Sequence, residues 1–265
     1  MRISVITPTL NSVGFLRACA ASVQMQAVPG VEVQHVVADG GSTDGTRELA
    51  EELGCTMAPR EADTGIFDAV NKATAFSDGQ LVGFLGADDV LLPGALEAVA
   101  RAYQSTGRRW VTGSYVWSDE HFRPLGTITA PPTWLNAGLQ ASLGWSYPLH
   151  MATYVERSLF DEIGGFDLEY PIAADYKFFT EALTRAPFAR VPQVLAVFRR
   201  HGNNTSMVDP GQRELDRIRQ DYGPADPARR KAYRAFVKAY VNARNPQWAY
   251  RKLRPLPAAP RLVGE

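Results

Sequence analysis

The stretch Phe84-Leu85-Gly86-Ala87-Asp88-Asp89 closes a short apolar run that also contains Leu81 and Val82. Ser77-Asp78-Gly79 bounds the run on one side and Pro93-Gly94 on the other. A run this short and this well punctuated reads as a buried central strand rather than a helix. Adjacent carboxylates where such a strand enters a loop repel each other, so one keeps its proton unless a cation or water offsets the charge. Carboxylate oxygens suit hard cations, and Mg²⁺ is typically held by one or two carboxylates plus substrate phosphates. The plainer reading is a solvated loop whose aspartates cap the helix after Pro93. The pair alone does not choose between these readings.

The flanking sequence does more. Ile3–Ile6 reads as a strand, ended by Thr7-Pro8-Thr9-Leu10-Asn11, because Pro8 cannot continue a central strand. Phe15, Leu16, Cys19, Ser22 and Val23 fall at helical spacing over about 15–26. Val33–Ala38 is a second strand, running into Asp39-Gly40-Gly41-Ser42-Thr43-Asp44-Gly45-Thr46. A helix to about Leu53, a short strand at 55–57 and a helix over about 67–76 lead to the 81–85 strand. Another helix follows from Pro93 to about Tyr103. Strand–helix alternation with short connections predicts parallel strands joined by crossovers and covered on both faces. Ligands of such sheets bind at the carboxyl ends of the strands. The polar loops 7–11, 39–46 and 86–89 should therefore meet at one crevice.

Beyond residue 105 the pattern is less regular. Strands are expected at 110–113, 115–117, 125–128 and 194–199, and helices at 158–163, 175–183, 211–222 and 228–243. Pro131-Pro132 and Trp145-Ser146-Tyr147-Pro148 read as loop, and the tail after Asn245 is rich in proline.

The 265 residues are 45% hydrophobic and 21% charged, an ordinary globular composition that excludes wholesale disorder. The sequence has no apolar run of about 18 residues that would serve as a transmembrane helix. It starts on a strand without signal-peptide regions, and Cys19 and Cys55 lack metal-ligand spacing, so a reduced cytoplasmic protein is expected. Net charge is zero but uneven: between Ala225 and Arg261 stand ten Lys/Arg against one acid, Asp226. The rest of the chain carries 18 basic against 27 acidic residues, so a basic appendage sits on a mildly acidic body.

Two tempting motifs fail on spacing. The glycines at 40, 41 and 45 are not in dinucleotide-fingerprint order, and a nucleophile elbow would need glycine where Asp44 stands. Asp39, at a strand end, remains able to accept from a base or ribose. Asp68 and Lys72 are four apart on a predicted helix, which reads either as a surface ion pair or as a lysine meeting a diphosphate.

Taken together, Ile6–Asn11, Asp39–Thr46, Asp63-Thr-Gly-Ile-Phe-Asp-Ala-Val-Asn-Lys72 and Phe84–Asp89 resemble the family 2 glycosyltransferases of the GT-A fold in motif, order and spacing. The resemblance continues through His150, Gly164-Gly165-Phe166-Asp167 and Ile172-Ala-Ala-Asp175-Tyr, covering roughly residues 2 to 206. It implies an α/β fold with a mostly parallel central sheet flanked by helices. Residues 1–105 would form the nucleotide-sugar half and 106–206 the acceptor half, with 207–265 a helical basic C-terminal extension.

The implied activity is inverting transfer of a hexosyl or N-acetylhexosaminyl group from a nucleoside-diphosphate sugar, UDP-sugar favoured, with Mn²⁺ or Mg²⁺. The acceptor would be a saccharide or lipid-linked saccharide, in cell-surface polysaccharide or glycolipid synthesis. By position, Pro8, Thr9, Asn11 and Asp39 would hold the nucleoside, and Asp63, Asp68 and Lys72 would line the same pocket. Asp88 would contact ribose or sugar, Asp89 the metal, and Arg200 and His201 the diphosphate. Trp145 and His150 fall on the acceptor side, and Asp175 matches the catalytic base. Many relatives carry Glu-Asp where this chain has Ala174-Asp175, and Ala87 stands where a full D-x-D has its first acid. Inversion needs a general base on the acceptor hydroxyl and charge stabilisation on the leaving diphosphate, which these residue types supply. Competing classes are a nucleotide-sugar-forming nucleotidyltransferase, which would need a basic loop where 7–11 has none, and a non-catalytic nucleotide-sugar-binding protein.

The helix over 228–243 groups Tyr233, Phe236, Val237, Tyr240 and Val241 on one side. Packing on the body with a basic back is the plain expectation. The sharper one is peripheral contact with the anionic inner face of a membrane. No nucleic-acid-binding motif is present.

Overall fold

The computed structural model describes residues 1–60, 62–202, 204 and 211–246. The proline-rich stretch expected after Asn245 lies, from residue 247 on, outside the described residues. The first half alternates as expected: β1 (Arg2–Thr9), α1 (Val13–Gln24), β2 (Glu32–Asp39), α2 (Thr46–Glu52), β3 (Thr56–Met57), α3 (Ile66–Phe76) and β4 (Leu81–Phe84). After it come β5 (Val90–Leu91), α4 (Ala95–Thr106), β6 (Trp110–Ser118), β7 (Pro124–Ile128) and α5 (Ala137–Leu143). The chain continues through a 3₁₀ turn (His150–Ala152), β8 (Thr153–Glu156), α6 (Arg157–Ile163), α7 (Ala174–Arg185) and β9 (Ala189–Arg199). Two further described helices are numbered α8 (Gln212–Tyr222) and α9 (Pro227–Arg244).

One nine-stranded sheet runs β3-β2-β1-β4-β8-β6-β9-β5, with β7 on β6. The strands β3, β2, β1 and β4 are parallel, as the alternation predicts. The second half is mixed: β8 is antiparallel to both β4 and β6, and β5 to β9, while β6 and β9 are parallel. The uninterrupted parallel run is thus confined to β1–β4, and β8 is the strand at which the sheet turns antiparallel. Its packing explains a glycine: a Cβ on Gly83 would lie 2.3 Å from the Tyr154 ring opposite it.

Burial follows the periodicities. Ile3, Val5 and Ile6 are fully buried on β1. Leu16, Cys19, Ala20 and Val23 bury one stripe of α1. The strands expected at 110–113 and 115–117 are one strand, β6, with register shifts around Ser114 that redirect it along β9. Helix α9 packs on the body through Val237 and Val241, and the Asn245 side chain after it accepts from Thr129 N at 3.0 Å. The plain expectation for this helix's inner side holds.

Candidate active site

Because β1 lies between β2 and β4, its carboxyl end at Pro8-Thr9 separates two cavities. The smaller, about 310 Å³, is bordered by Asp39, Pro59, Asp63, Lys72 and Phe76. Asp39 is held in place through Oδ1, which accepts from Ser42 N at 3.1 Å. Its Oδ2 is buried and has no hydrogen-bond partner, as is Thr9 Oγ1 across the β1–β2 ladder. Buried polar atoms are normally satisfied, so two orphaned acceptors at one strand end mark a place for a polar ligand. Asp63 accepts from Gly65 N at 3.1 Å and its Oδ2 lies close to Gly40.

Two residues expected to line the nucleotide pocket, Asp68 and Asn11, border neither cavity. Asp68 does not border either cavity: its Oδ2 closes the start of α3 by accepting from Thr64 N at 2.9 Å and from Lys72 Nζ at 3.0 Å. Lys72 beside it, together with the Thr64 amide, holds the Asp68 carboxyl below its ordinary range. Lys72 also donates to Ala62 O at 2.6 Å, so it pairs with Asp68 while bordering the smaller cavity. Asn11, with φ 49°, clasps the loop after β2: its Oδ1 accepts from Thr43 N at 2.9 Å, and its own N–H donates to Ser42 Oγ. It shapes the crevice without bordering it.

The larger cavity, about 590 Å³, gathers the rest. Pro8, Asp88, Asp89, Trp145, His150, Asp175 and Arg200 all border it. The two aspartates differ. Asp89 is 1% exposed, and its Oδ1 accepts from Arg199 N at 2.9 Å, tying the loop to the end of β9. Burial, reinforced by the neighbouring Asp88 charge, pushes the Asp89 carboxyl well above its usual range. Asp88 faces His201, whose Nε2 lies 2.7 Å from its Oδ2, and Asn204 Nδ2 donates to the same oxygen at 3.0 Å. The His201 ring is stacked on Phe15, with centroids 4.9 Å apart. Gly86 leaves room for both carboxylates: a Cβ there would come within 2.6 Å of Asp88 Oδ1 and 3.2 Å of Asp89 Oδ2, so the Asp88 side chain would have to move.

Among the described residues no three His, Cys, Asp or Glu side chains form a ready metal cage. A carboxylate pair beside one imidazole is an incomplete donor set that suits a divalent ion completed by substrate phosphates. In that sense the residues fit such a cation.

Arg199 is 8% exposed, its guanidinium held between the Phe15 and Phe122 rings at 4.4 and 4.6 Å. Arg200 borders the cavity and lies over Trp117 at 5.1 Å. Asp175, which also borders this cavity, is the second residue of α7. Its Oδ1 accepts from Tyr176 N at 2.7 Å and its Oδ2 lies 3.3 Å from His150 Nδ1. Residue 173 gives α7 no side-chain cap. Instead Glu214, from α8, accepts from Ile172 N at 3.0 Å and Ala173 N at 2.7 Å. Sequence reasoning missed Glu214 and Asn204, which reach the site from distant segments and carry no local motif.

Residues 4–163 match the family model described as glycosyl transferase family 2. The chain belongs to that family. A PGL/p-HBAD biosynthesis glycosyltransferase of Mycobacterium bovis is 30% identical to this family 2 chain over 184 residues, 66% of this chain and 67% of the relative. Among solved structures, S. aureus TarS 1-349 in complex with UDP-GlcNAc superposes with a TM-score of 0.68 at 20% identity, covering 89% of this chain and 71% of that one. Glucosyl-3-phosphoglycerate synthase from Mycobacterium tuberculosis, in complex with Mn²⁺, UDP and glucosyl-3-phosphoglycerate, gives 0.59 at 19%, covering 85% and 81%. The family 2 chain has the GT-A fold of these transferases.

Proposed function

We propose that the protein transfers a sugar, with inversion, from a nucleoside-diphosphate sugar to an acceptor hydroxyl at the larger cavity. One observation carries this reading: a single cavity is bordered both by the Asp88–Asp89 pair and by the Asp175–His150 pair. The first is suited to the donor's diphosphate and the second to the acceptor's proton.

The nucleoside would occupy the smaller cavity, its base accepted by the orphaned Asp39 Oδ2, with the diphosphate running past Pro8 toward Asp88. Uridine is favoured because TarS and the synthase were crystallised with UDP ligands. The cation contact was expected at Asp89. Its near-complete burial and its bond to Arg199 N favour Asp88 with His201 for that role, and Asp89 as the anchor of the loop. When bound, a Mn²⁺ or Mg²⁺ ion supplies Lewis-acid neutralisation of the leaving diphosphate. Arg200 adds a fixed positive charge at the same wall.

Asp175 acts as the general base through its carboxylate, taking the acceptor hydroxyl proton as the new glycosidic bond forms. The Tyr176 amide and His150 keep that carboxylate turned to the cavity. Trp145 and the surrounding apolar wall exclude water and offer a ring face to an acceptor sugar. A role in cell-surface polysaccharide or glycolipid synthesis, at the cytoplasmic side, follows as the reading's wider setting.

The test is a thermal-shift screen of nucleoside diphosphates with and without Mn²⁺, since ligands that bind the folded state raise its stability. A shift confined to UDP with metal is the expected result. Transfer from the matching sugar nucleotide, with the product anomer read by NMR, then checks inversion. Retention of configuration would remove Asp175 from the role of base.

A further inference from the structure

Helix α9 has a second apolar face. Its inner side, Val237 and Val241, is spent on the body. On the opposite arc Ala228, Ala232, Ala235, Ala239 and Ala243 are all exposed, and beside them Phe236 is 56% exposed. Trp134, just ahead of α5 and 42% exposed, lies against Phe236 with ring centroids 5.3 Å apart, and against Tyr240 at 4.9 Å. Two large aromatic rings paired at the surface are the costly element here; alanines alone would call for no account.

The charge around this strip has one sign. The helix holds six Lys/Arg and no acid. Helical geometry at 100° per residue sets Lys231 and Lys238 along one border of the apolar arc and Arg229 along the other, while Arg234 and Arg244 flank the inner side beside Val241 and Val237. All five are exposed. An apolar strip with Trp and Phe, bordered on both sides by cations, has the composition of a helix that lies in a bilayer interface. None of the described helices is long and apolar enough to cross a membrane, so contact of this kind would be lateral.

We propose that the outer face of α9, with Trp134, docks on an anionic membrane surface. The aromatic pair enters the headgroup boundary, and Lys231, Lys238 and Arg229 meet lipid phosphates. The surface is continuous with the active site through α5. Trp134 precedes that helix, Gly144-Trp145 after it border the larger cavity, and its seven residues span about 10 Å. A docked enzyme would therefore hold its acceptor side near the bilayer, where a lipid-linked acceptor would present its sugar.

The experiment is vesicle co-sedimentation of the full chain, using phosphatidylcholine alone and phosphatidylcholine with phosphatidylglycerol. Binding to the anionic vesicles, lost at high salt, is expected. The double variant Trp134→Ser/Phe236→Ser should reduce that binding at least tenfold. Lys231→Gln and Lys238→Gln should each weaken it about fivefold. All four positions are exposed, and circular dichroism with UDP-dependent thermal shift would verify the fold and the donor site separately. Absence of binding to anionic vesicles, or equal binding by the aromatic double variant, overturns the proposal. So does a dimer in light scattering that the same double variant abolishes, since the face would then belong to a second copy of this chain. None of these outcomes bears on sugar transfer itself.

Discussion

His150 Nδ1 stands 3.3 Å from Asp175 Oδ2, and the other oxygen of that carboxylate accepts from the amide of Tyr176. The group assigned as base is therefore oriented from two sides. Asp175→Asn keeps the shape and removes the basic charge, so it should leave donor affinity within a few-fold and lower transfer by roughly 10²–10⁴. His150→Gln should lower kcat less, because it removes the orienting partner and leaves the carboxylate. Steady-state kinetics on both variants checks the order. Near-normal turnover in Asp175→Asn would place the base elsewhere.

Glu214 tests positioning at a distance. It accepts the two amides that open α7, the helix carrying Asp175, so its loss should let that helix start shift or fray. Glu214→Ala is expected to lower kcat by about 10- to 100-fold, with the donor KM little changed. Glu214→Gln retains an acceptor oxygen and should recover most of the loss. A KM effect larger than the kcat effect would mean that the residue serves the donor instead.

In the proposed arrangement Asp39 serves binding rather than chemistry. Its buried Oδ2 lacks a partner in the protein, so a nucleobase is the group that would satisfy it. Asp39→Ala should raise the donor KM more than it lowers kcat, because the contact is shared by ground and transition states. Equal loss in kcat and kcat/KM would refute that division.

The first half of the fold, from β1 to β4, was legible in the sequence because each of its elements is local. The strand at 81–84 is announced by its own apolar run, and α1 by its own stripe. The other half depends on pairing between remote segments. Strand β5 has only two residues, Val90-Leu91, and β8 has four, Thr153–Glu156, too short for periodicity to register. Nothing in β8 itself says that it runs antiparallel to β4. At the site, strand-end carboxylates could be read directly, as Asp39, Asp88 and Asp89 were. The partners that orient them could not: Arg199 contributes a backbone amide to Asp89, and Asn204 reaches Asp88 across 116 positions.

A buried histidine gives the fold a defined pH dependence. His35 bonds Thr7 Oγ1 through Nε2 at 2.9 Å, and burial lowers its pKa from 6.5 to about 4. Below pH 6.5 the unfolded chain takes up a proton that the folded imidazole refuses. The stability from neutral His35 is thus complete above pH 6.5 and is lost as pH falls toward about 4. Between pH 6.5 and 5 the loss is about 2 kcal/mol. Urea melts of wild type and His35→Gln at pH 7 and pH 5 isolate it. The wild type should lose more stability than the variant over that interval, and parallel losses would contradict the assignment.

The two adjacent aspartates should separate cleanly. Asp88 shares its Oδ2 with His201 and Asn204 at the cavity, whereas Asp89 is buried and its Oδ1 serves the Arg199 amide. Asp88→Asn should abolish Mn²⁺-dependent binding of the nucleoside diphosphate while leaving thermal stability nearly unchanged, because the site is partly open. Asp89→Asn replaces a carboxyl whose charged form burial already disfavours and keeps an acceptor for Arg199 N, so it should be neutral or stabilising in the metal-free protein. Asp89→Ala leaves that amide unpaired and should cost about 1–3 kcal/mol. Gly86→Ala supplies a control from the other side: its methyl group would press on Asp88 Oδ1, so metal-dependent affinity should fall although no charge has changed. Calorimetric titration with UDP, with and without Mn²⁺, and melts of the four variants decide the matter. If Asp89→Asn loses metal-dependent binding and Asp88→Asn retains it, the cation contact belongs to Asp89, and Asp88 returns to the donor's ribose or sugar.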